Sequence, residues 1–319
     1  MTRATARASR HFPTGRLGRS RQAFSTPQHI EPANGGYVKH SLRHPSTITT
    51  MSLTAIVVQF PVTLSIQSNL EIIDSVLEQT NAGDWVIFPE GSVSGYSTDT
   101  AFLEQINRHE LTTGLSHIQK ETERRKINVW VGACINDDGK WFNTAHSFTA
   151  DGKTQIYRKI NLANHERGAF SPGNDLPVFE VNTSDGKVMV GIQICRELRY
   201  PEQWGWLARC GAQVILHLNN AVGDNSFQPV WKSHLISRAA ETQRFVLSVN
   251  NAAPKQVSPT IAIAPNGQVM DEIVSAELGI LRVELDLSKV SNWYLDQSRT
   301  DIVAIKSNKE ALSTHKLSK

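Results

Sequence analysis

The chain has 319 residues with 39% hydrophobic content, enough for one large α/β domain or two small ones. Its net charge of +3 comes from the first fifty residues, where eight Lys and Arg meet only Glu31; removing these from the totals of 33 basic and 30 acidic residues leaves 25 against 29. The remainder is therefore mildly acidic, which removes the main argument for nucleic acid as a partner, and no run of about 18 apolar residues argues for a membrane span.

Residues 1–50 lack apolar periodicity and are expected to be a disordered basic extension. Three readings of it compete: an organelle transit peptide, an upstream start or expression remnant ahead of a natural start at Met51, or a basic arm. The second is favoured, with a cytoplasmic location, or an organellar one if the segment is a transit peptide. Next comes an expected domain over residues 51–305, then a tail over 306–319. Strand-like and helix-like segments alternate steadily within the domain: 53–60 strand, 65–80 helix, 85–88 strand, 101–126 helix and 128–133 strand. Turn signals at Asp137-Asp-Gly139 and Asp151-Gly152 then flank strands at 141–149 and 154–157. An apolar run, Val188 to Ile194, ends at Cys195 and a polar turn. Helix 202–209, strand 213–218, helix 228–242 and strand 245–250 follow, and Pro265-Asn-Gly267 reads as a turn between strands 260–264 and 268–273. This order predicts an α/β fold of two packed sheets with helices outside.

Three reactive residues stand where predicted strands stop. Glu90 follows Trp85-Val-Ile-Phe88, Lys159 follows Thr154-Gln-Ile-Tyr157, and Cys195 follows Val188 to Ile194. In open α/β sheets reacting groups collect outside the carboxyl ends of strands. A single cysteine there is ordinarily a core residue, and a single Glu or Lys a solvated charge. The conjunction of the three carries the reading.

That conjunction resembles the Glu-Lys-Cys triad of the nitrilase, or carbon–nitrogen hydrolase, superfamily. Phe88-Pro-Glu-Gly91 resembles the first signature, Tyr157-Arg-Lys-Ile-Asn-Leu162 the second, and Gly191-Ile-Gln-Ile-Cys-Arg-Glu-Leu-Arg-Tyr-Pro-Glu202 the third. Glu166, four residues before Phe170-Ser-Pro-Gly173, has the spacing of a second glutamate found in amidase and carbamoylase members. The resemblance runs from Leu53 to about Val303. It implies a four-layer αββα sandwich, Glu90 as general base, Lys159 as the lysine, Cys195 as nucleophile, and a homodimer or higher assembly.

The chemistry explains the grouping. A thiol has a reference pKa near 8.5 and reacts as its thiolate, so Lys159 is expected to favour the reactive form. Lys159 and a backbone N–H after Cys195 are expected to stabilise the developing oxyanion, a contribution of about 3 kcal/mol per donor. Glu90 would take the thiol proton, pass it to the departing amine and activate water against the thioester. Glu166 would hold Lys159 or the substrate amide by a charge-assisted hydrogen bond.

Three cysteines, without CxxC spacing, suggest neither disulfides nor a structural zinc site; Cys134 and Cys210 read as core residues. No phosphate loop, GxGxxG or HExxH is present, so no metal or other cofactor is implied. A Cys–His hydrolase is the minor alternative, with His217 as the partner. Arg196, beside the nucleophile, suits a substrate carboxylate, against a plain salt bridge to Glu197 or Glu202. Tyr96, Asn219, Asn220 and Trp231 are expected to ring the pocket, Trp231 having the alternative of a core or subunit contact. Arg196-Glu197 departs from the aromatic-Asp pair common in amidases and Glu197 is nearer to nitrilases, while the compact length and Glu166 favour the amidase and carbamoylase branches. The expected activity is hydrolysis of small linear amides without a cofactor. Nitrile or N-carbamoyl amino acid hydrolysis is the alternative within the class, and an acyl transferase or a non-catalytic binding protein outside it.

Overall fold

The computed structural model describes residues 52–299; the expected extension 1–50 and tail 306–319 lie outside the described residues. In chain order the first half forms β1 (Ser52–Gln59), α1 (Ile66–Leu77), β2 (Trp85–Ile87), α2 (Arg108–Arg125), β3 (Asn128–Asp137), β4 (Lys140–Phe148) and β5 (Thr154–Arg158). The second half forms β6 (Val178–Thr183), β7 (Gly186–Ile194), α3 (Pro201–Arg209), β8 (Val214–Leu218), α4 (Gln228–Thr242) and β9 (Phe245–Val249). It closes with β10 (Thr260–Ile263), β11 (Val269–Ile273), β12 (Gly279–Asp286) and the short α5 (Trp293–Gln297).

Local chemistry sets the element ends. The Ser65 hydroxyl accepts from the Ser68 amide at 3.2 Å and opens α1, whose Ile66, Ile73, Val76 and Leu77 are buried at helical spacing. Asn107 accepts from the amides of His109 and Glu110 and opens α2. This cap corrects the expected single helix over 101–126: a 3-10 turn, Thr100–Gln105, ends before Asn107, and a new helix starts after it. The expected plain turn after Cys195 is likewise a 3-10 turn, Cys195–Arg199. Two strands, β6 and β12, were not expected at all, although Leu281, Val283 and Leu285 alternate as buried positions of an edge strand. The helix over 228–242 stands as expected.

The strands form two six-stranded sheets, ordered β12-β1-β2-β3-β4-β5 and β6-β7-β8-β9-β10-β11. Both repeat one pattern. Each begins with an antiparallel pair, continues through three parallel strands and ends in two antiparallel pairings. Helices α1 and α2 connect the parallel strands of the first sheet as α3 and α4 do in the second. The corresponding helices α2 and α4 both end on a residue in the left-handed conformation, Lys126 and Gln243.

The sheets pack face to face over a core that includes Val57, Trp85, Trp130, Val190, Leu216 and Leu247, with the two tryptophan rings 4.9 Å apart. Ile73 and Leu111 from α1 and α2 cover the outer face of the first sheet, and Leu207 and Leu235 from α3 and α4 cover that of the second. The result is the four-layer αββα sandwich. No helix among the described residues is long and apolar enough to cross a membrane.

Candidate active site

Glu90 sits on the turn after β2. Phe88 still donates to the Trp130 carbonyl at 2.9 Å, but Pro89 has no N–H and the chain leaves the ladder there. The turn lies flat against β3 at Gly132, where a Cβ would stand 2.4 Å from the Gly91 nitrogen and 2.7 Å from the Glu90 Cα. Only glycine allows that approach. Lys159 extends β5 by one rung, its amide donating to the Asn143 carbonyl at 2.9 Å. The segment Phe170-Ser-Pro-Gly173 crosses next to it, and Gly173 is required because a Cβ would fall 2.2 Å from the Arg158 carbonyl oxygen. Cys195 ends β7 with φ of 50°, a left-handed conformation that non-glycine residues adopt at a cost of about 1–3 kcal/mol. Strain of this kind, held in place by the surrounding structure, marks functional turns.

The side chains of Lys159, Glu90 and Glu166 converge with no solvent exposure. The Lys159 ammonium donates to Glu90 Oε1 at 3.0 Å and to Glu166 Oε1 at 2.9 Å. Asn143 Nδ2, from β4, bonds the same two oxygens at 2.7 and 2.8 Å. Glu90 Oε2 accepts from the Asn220 amide at 2.8 Å, and Glu166 Oε2 accepts from the Ala163 amide. Tyr96 donates its phenolic proton to Glu166 Oε1 at 2.7 Å and lies 2.9 Å from His165 Nε2. Each buried charge thus has an opposite charge and fixed hydrogen bonds, the condition under which such burial is tolerated.

The electrostatics set the pull of Lys159, which acts in the expected direction, against larger influences. Burial, followed by the charge of Glu90, pushes the Cys195 thiol well above its ordinary range, and the opposing pull of Lys159 does not offset them. A thiol shifted in this direction calls for a base to remove its proton. Glu90, whose charge acts on that thiol more strongly than any other, is the candidate for that base. Burial alone would lower the Lys159 pKa, yet the charges of Glu90 and Glu166 hold it above its usual value. Burial would raise the pKa of Glu166, but Lys159, the Ala163 amide and Asn143 hold it down. Burial and the two carboxylates raise the pKa of Tyr96, which stays a donor.

Of the other expected residues, Tyr96 and Asn220 join the network, Asn220 through its amide. Asn219 is buried against His217 and Ser248. Trp231 does not join: it packs into the helix layer with Leu198, Trp204 and Leu235, and the Arg199 guanidinium lies 5.7 Å from its ring centroid. Arg196 is exposed and forms no ion pair among the described residues. The alternative of a salt bridge to Glu197 fails because that carboxyl is buried, accepting from the Tyr157 hydroxyl and from the amides of Ile160, Asn161 and Ile194. His217 donates to the Cys195 carbonyl oxygen, not the thiol, which removes the geometry for a Cys–His pair. Cys134 is buried, but Cys210 is exposed at the end of α3, against expectation.

Asn143 and His165 were missed. An asparagine inside a strand is a weak strand former, and Trp141-Phe-Asn-Thr-Ala145 placed one among apolar neighbours; that was the signal for Asn143. His165 sits in a loop and gave none. Among the described residues no group of three or more His, Cys, Asp or Glu is arranged to hold a metal ion.

The carbon-nitrogen hydrolase family model matches residues 53–294. An (R)-stereoselective amidase of Pseudomonas is 30% identical over 212 residues, covering 65% of this chain and 74% of its own. An omega-amidase of Saccharomyces cerevisiae is 28% identical over 253 residues, 72% of this chain and 84% of its own. Among solved structures, a mutant amidase of Nesterenkonia superposes with a TM-score of 0.67 at 21% identity, covering 79% of this chain and 95% of that one, a likeness of fold.

Proposed function

The chain belongs to the carbon–nitrogen hydrolase family, and on that premise we propose that it hydrolyses small linear amides through a thioester on Cys195, releasing ammonia or an amine. The observation that carries this is the Lys159, Glu90 and Glu166 network, closed to solvent, whose three charges act on the Cys195 thiol. Glu90 takes the thiol proton as sulfur attacks the amide carbon. The Lys159 ammonium and the Arg196 amide receive the developing oxyanion. Collapse of the tetrahedral intermediate breaks the carbon–nitrogen bond, and Glu90 returns its proton to the leaving nitrogen. Glu90 then draws a proton from water, which attacks the thioester; the acid leaves and the thiol is restored. Glu166, Asn143 and Tyr96 hold Lys159 in place throughout.

The exposed Arg196, beside the nucleophile and without an ion pair among the described residues, supports substrates with a carboxylate remote from the amide. The omega-amidase relative fits this finer reading. The test is ammonia release from simple amides, ω-amides of dicarboxylates, N-carbamoyl amino acids and nitriles, with Cys195→Ala alongside. Release from amides by the native chain alone supports the proposal. Undiminished release by Cys195→Ala overturns it, and release from nitriles only reassigns the substrate.

A further inference from the structure

The strained conformation of Cys195 leaves its carbonyl in an unusual position. Strands β7 and β8 run parallel and pair Gln193 with His217 and Ile194 with Leu218. At the next residue φ turns to 50°, and the Cys195 carbonyl leaves the ladder in a part-buried setting. With two lone pairs, a carbonyl that starts a 3-10 turn still has room for a side chain to hold it. His217 does so, with Nε2 at 2.9 Å from the Cys195 oxygen.

The tautomer follows from the partners. A carbonyl only accepts, so Nε2 carries the proton and Nδ1 is the acceptor. Nδ1 lies 3.0 Å from both Ser248 Oγ and Asn219 Nδ2, each able to donate to it. The ring is fully buried and packs edge-on against Trp204, with centroids 5.5 Å apart. Burial lowers its pKa to about 4, so the neutral ring persists at neutral pH. The rest of the turn is braced in the same manner. Glu197 Oε2 accepts from the Ile194 amide at 2.8 Å, Trp204 donates to the Glu197 carbonyl at 3.1 Å, and Arg238 donates to the Leu198 carbonyl at 3.2 Å. Of these braces only that of His217 grips the nucleophile's own residue.

We infer that His217 is a positioning residue: its Nε2–H holds the Cys195 carbonyl and thereby fixes the left-handed turn that aims the thiol at Glu90 and Lys159. It does not exchange a proton with sulfur or substrate. The inference rests on Cys195 being the nucleophile.

The test compares His217→Leu, which removes the donor, with His217→Gln, whose side-chain amide nitrogen reaches the place of Nε2. His217→Asn is the reserve should the leucine variant not fold, since its shorter amide also withdraws the donor. Steady-state kinetics, melting temperature and site-resolved alkylation of Cys195 by iodoacetamide are measured; peptide-level detection is needed because exposed Cys210 reacts too. His217→Leu is expected to lower kcat by roughly tenfold to a hundredfold, with KM within about twofold, and to slow Cys195 alkylation in parallel. His217→Gln is expected to recover most of both. Native rates in His217→Leu, or equal losses in the Leu and Gln variants that follow the melting temperature alone, would overturn the inference. Ammonia release by Cys195→Ala would instead refute the nucleophile, leaving the alkylation comparison to judge the positioning separately.

Discussion

The backbone amide of Asn220 donates to Oε2 of Glu90 at 2.8 Å, and the two residues stand just past corresponding strands, β8 and β2, of the two sheets. The repeated topology thus meets at the proposed base. With Oε2 fixed by the second sheet and Oε1 by Lys159 and Asn143 from the first, the Glu90 carboxylate has one orientation.

Glu90→Gln keeps the shape and removes the charge. Turnover should fall by about 10²–10⁴-fold, the usual contribution of a positioned base. The Cys195 thiol should nonetheless ionise at lower pH, because burial still raises its pKa but the charge of Glu90 no longer does, while Lys159 still lowers it. The pH profile of Cys195 alkylation measures this. A profile that stays in place or moves to higher pH would contradict the electrostatic account.

Lys159→Met leaves two carboxylates closed to solvent without their shared cation. Losing one partner from such a set costs about 3–5 kcal/mol, and urea unfolding should show a loss of that order together with lost turnover. Adding Glu166→Gln should return part of the stability and none of the turnover. Equal stabilities of all three chains would mean that the network is solvated.

Much of this was legible in the sequence. Helix 228–242 needed only its pattern, and Glu90, Lys159 and Cys195 announced themselves at strand ends. The break before α2 was not, because it depends on one local contest, Asn107 capping a new helix within a polar stretch that reads as continuous. The thiol's ionisation was legible only in part. Spacing shows that an ammonium is near, but not that burial and the charge of Glu90 outweigh its pull. The role of His217 depends on a carbonyl displaced by a backbone angle, which no spacing reveals.

Buried His146 and His217 both have their pKa lowered to about 4 by desolvation. The fold therefore disfavours their protonated forms. The stability they support is present above the unfolded value near 6.5 and is lost as pH falls from there toward 4, on the order of 3 kcal/mol for each. Urea midpoints should decline through that window, and His146→Leu should flatten the decline. An unchanged slope in that variant would contradict the assignment.

Arg196→Met should raise KM for ω-amides bearing a carboxylate by about tenfold or more while leaving simple amides within about twofold, since a charge-assisted bond contributes about 1.5–3 kcal/mol. Paired KM measurements on a carboxylated and an uncharged amide decide it. Equal shifts on both substrates would remove Arg196 from substrate selection.

The most direct test is intact-protein mass spectrometry of the chain quenched during turnover of an amide. The account requires a mass gain equal to the acyl group, located on Cys195, absent from Cys195→Ala and formed with release of ammonia. Turnover with ammonia release but no adduct at Cys195 under rapid quench, or the same adduct in Cys195→Ala, would contradict a thioester route.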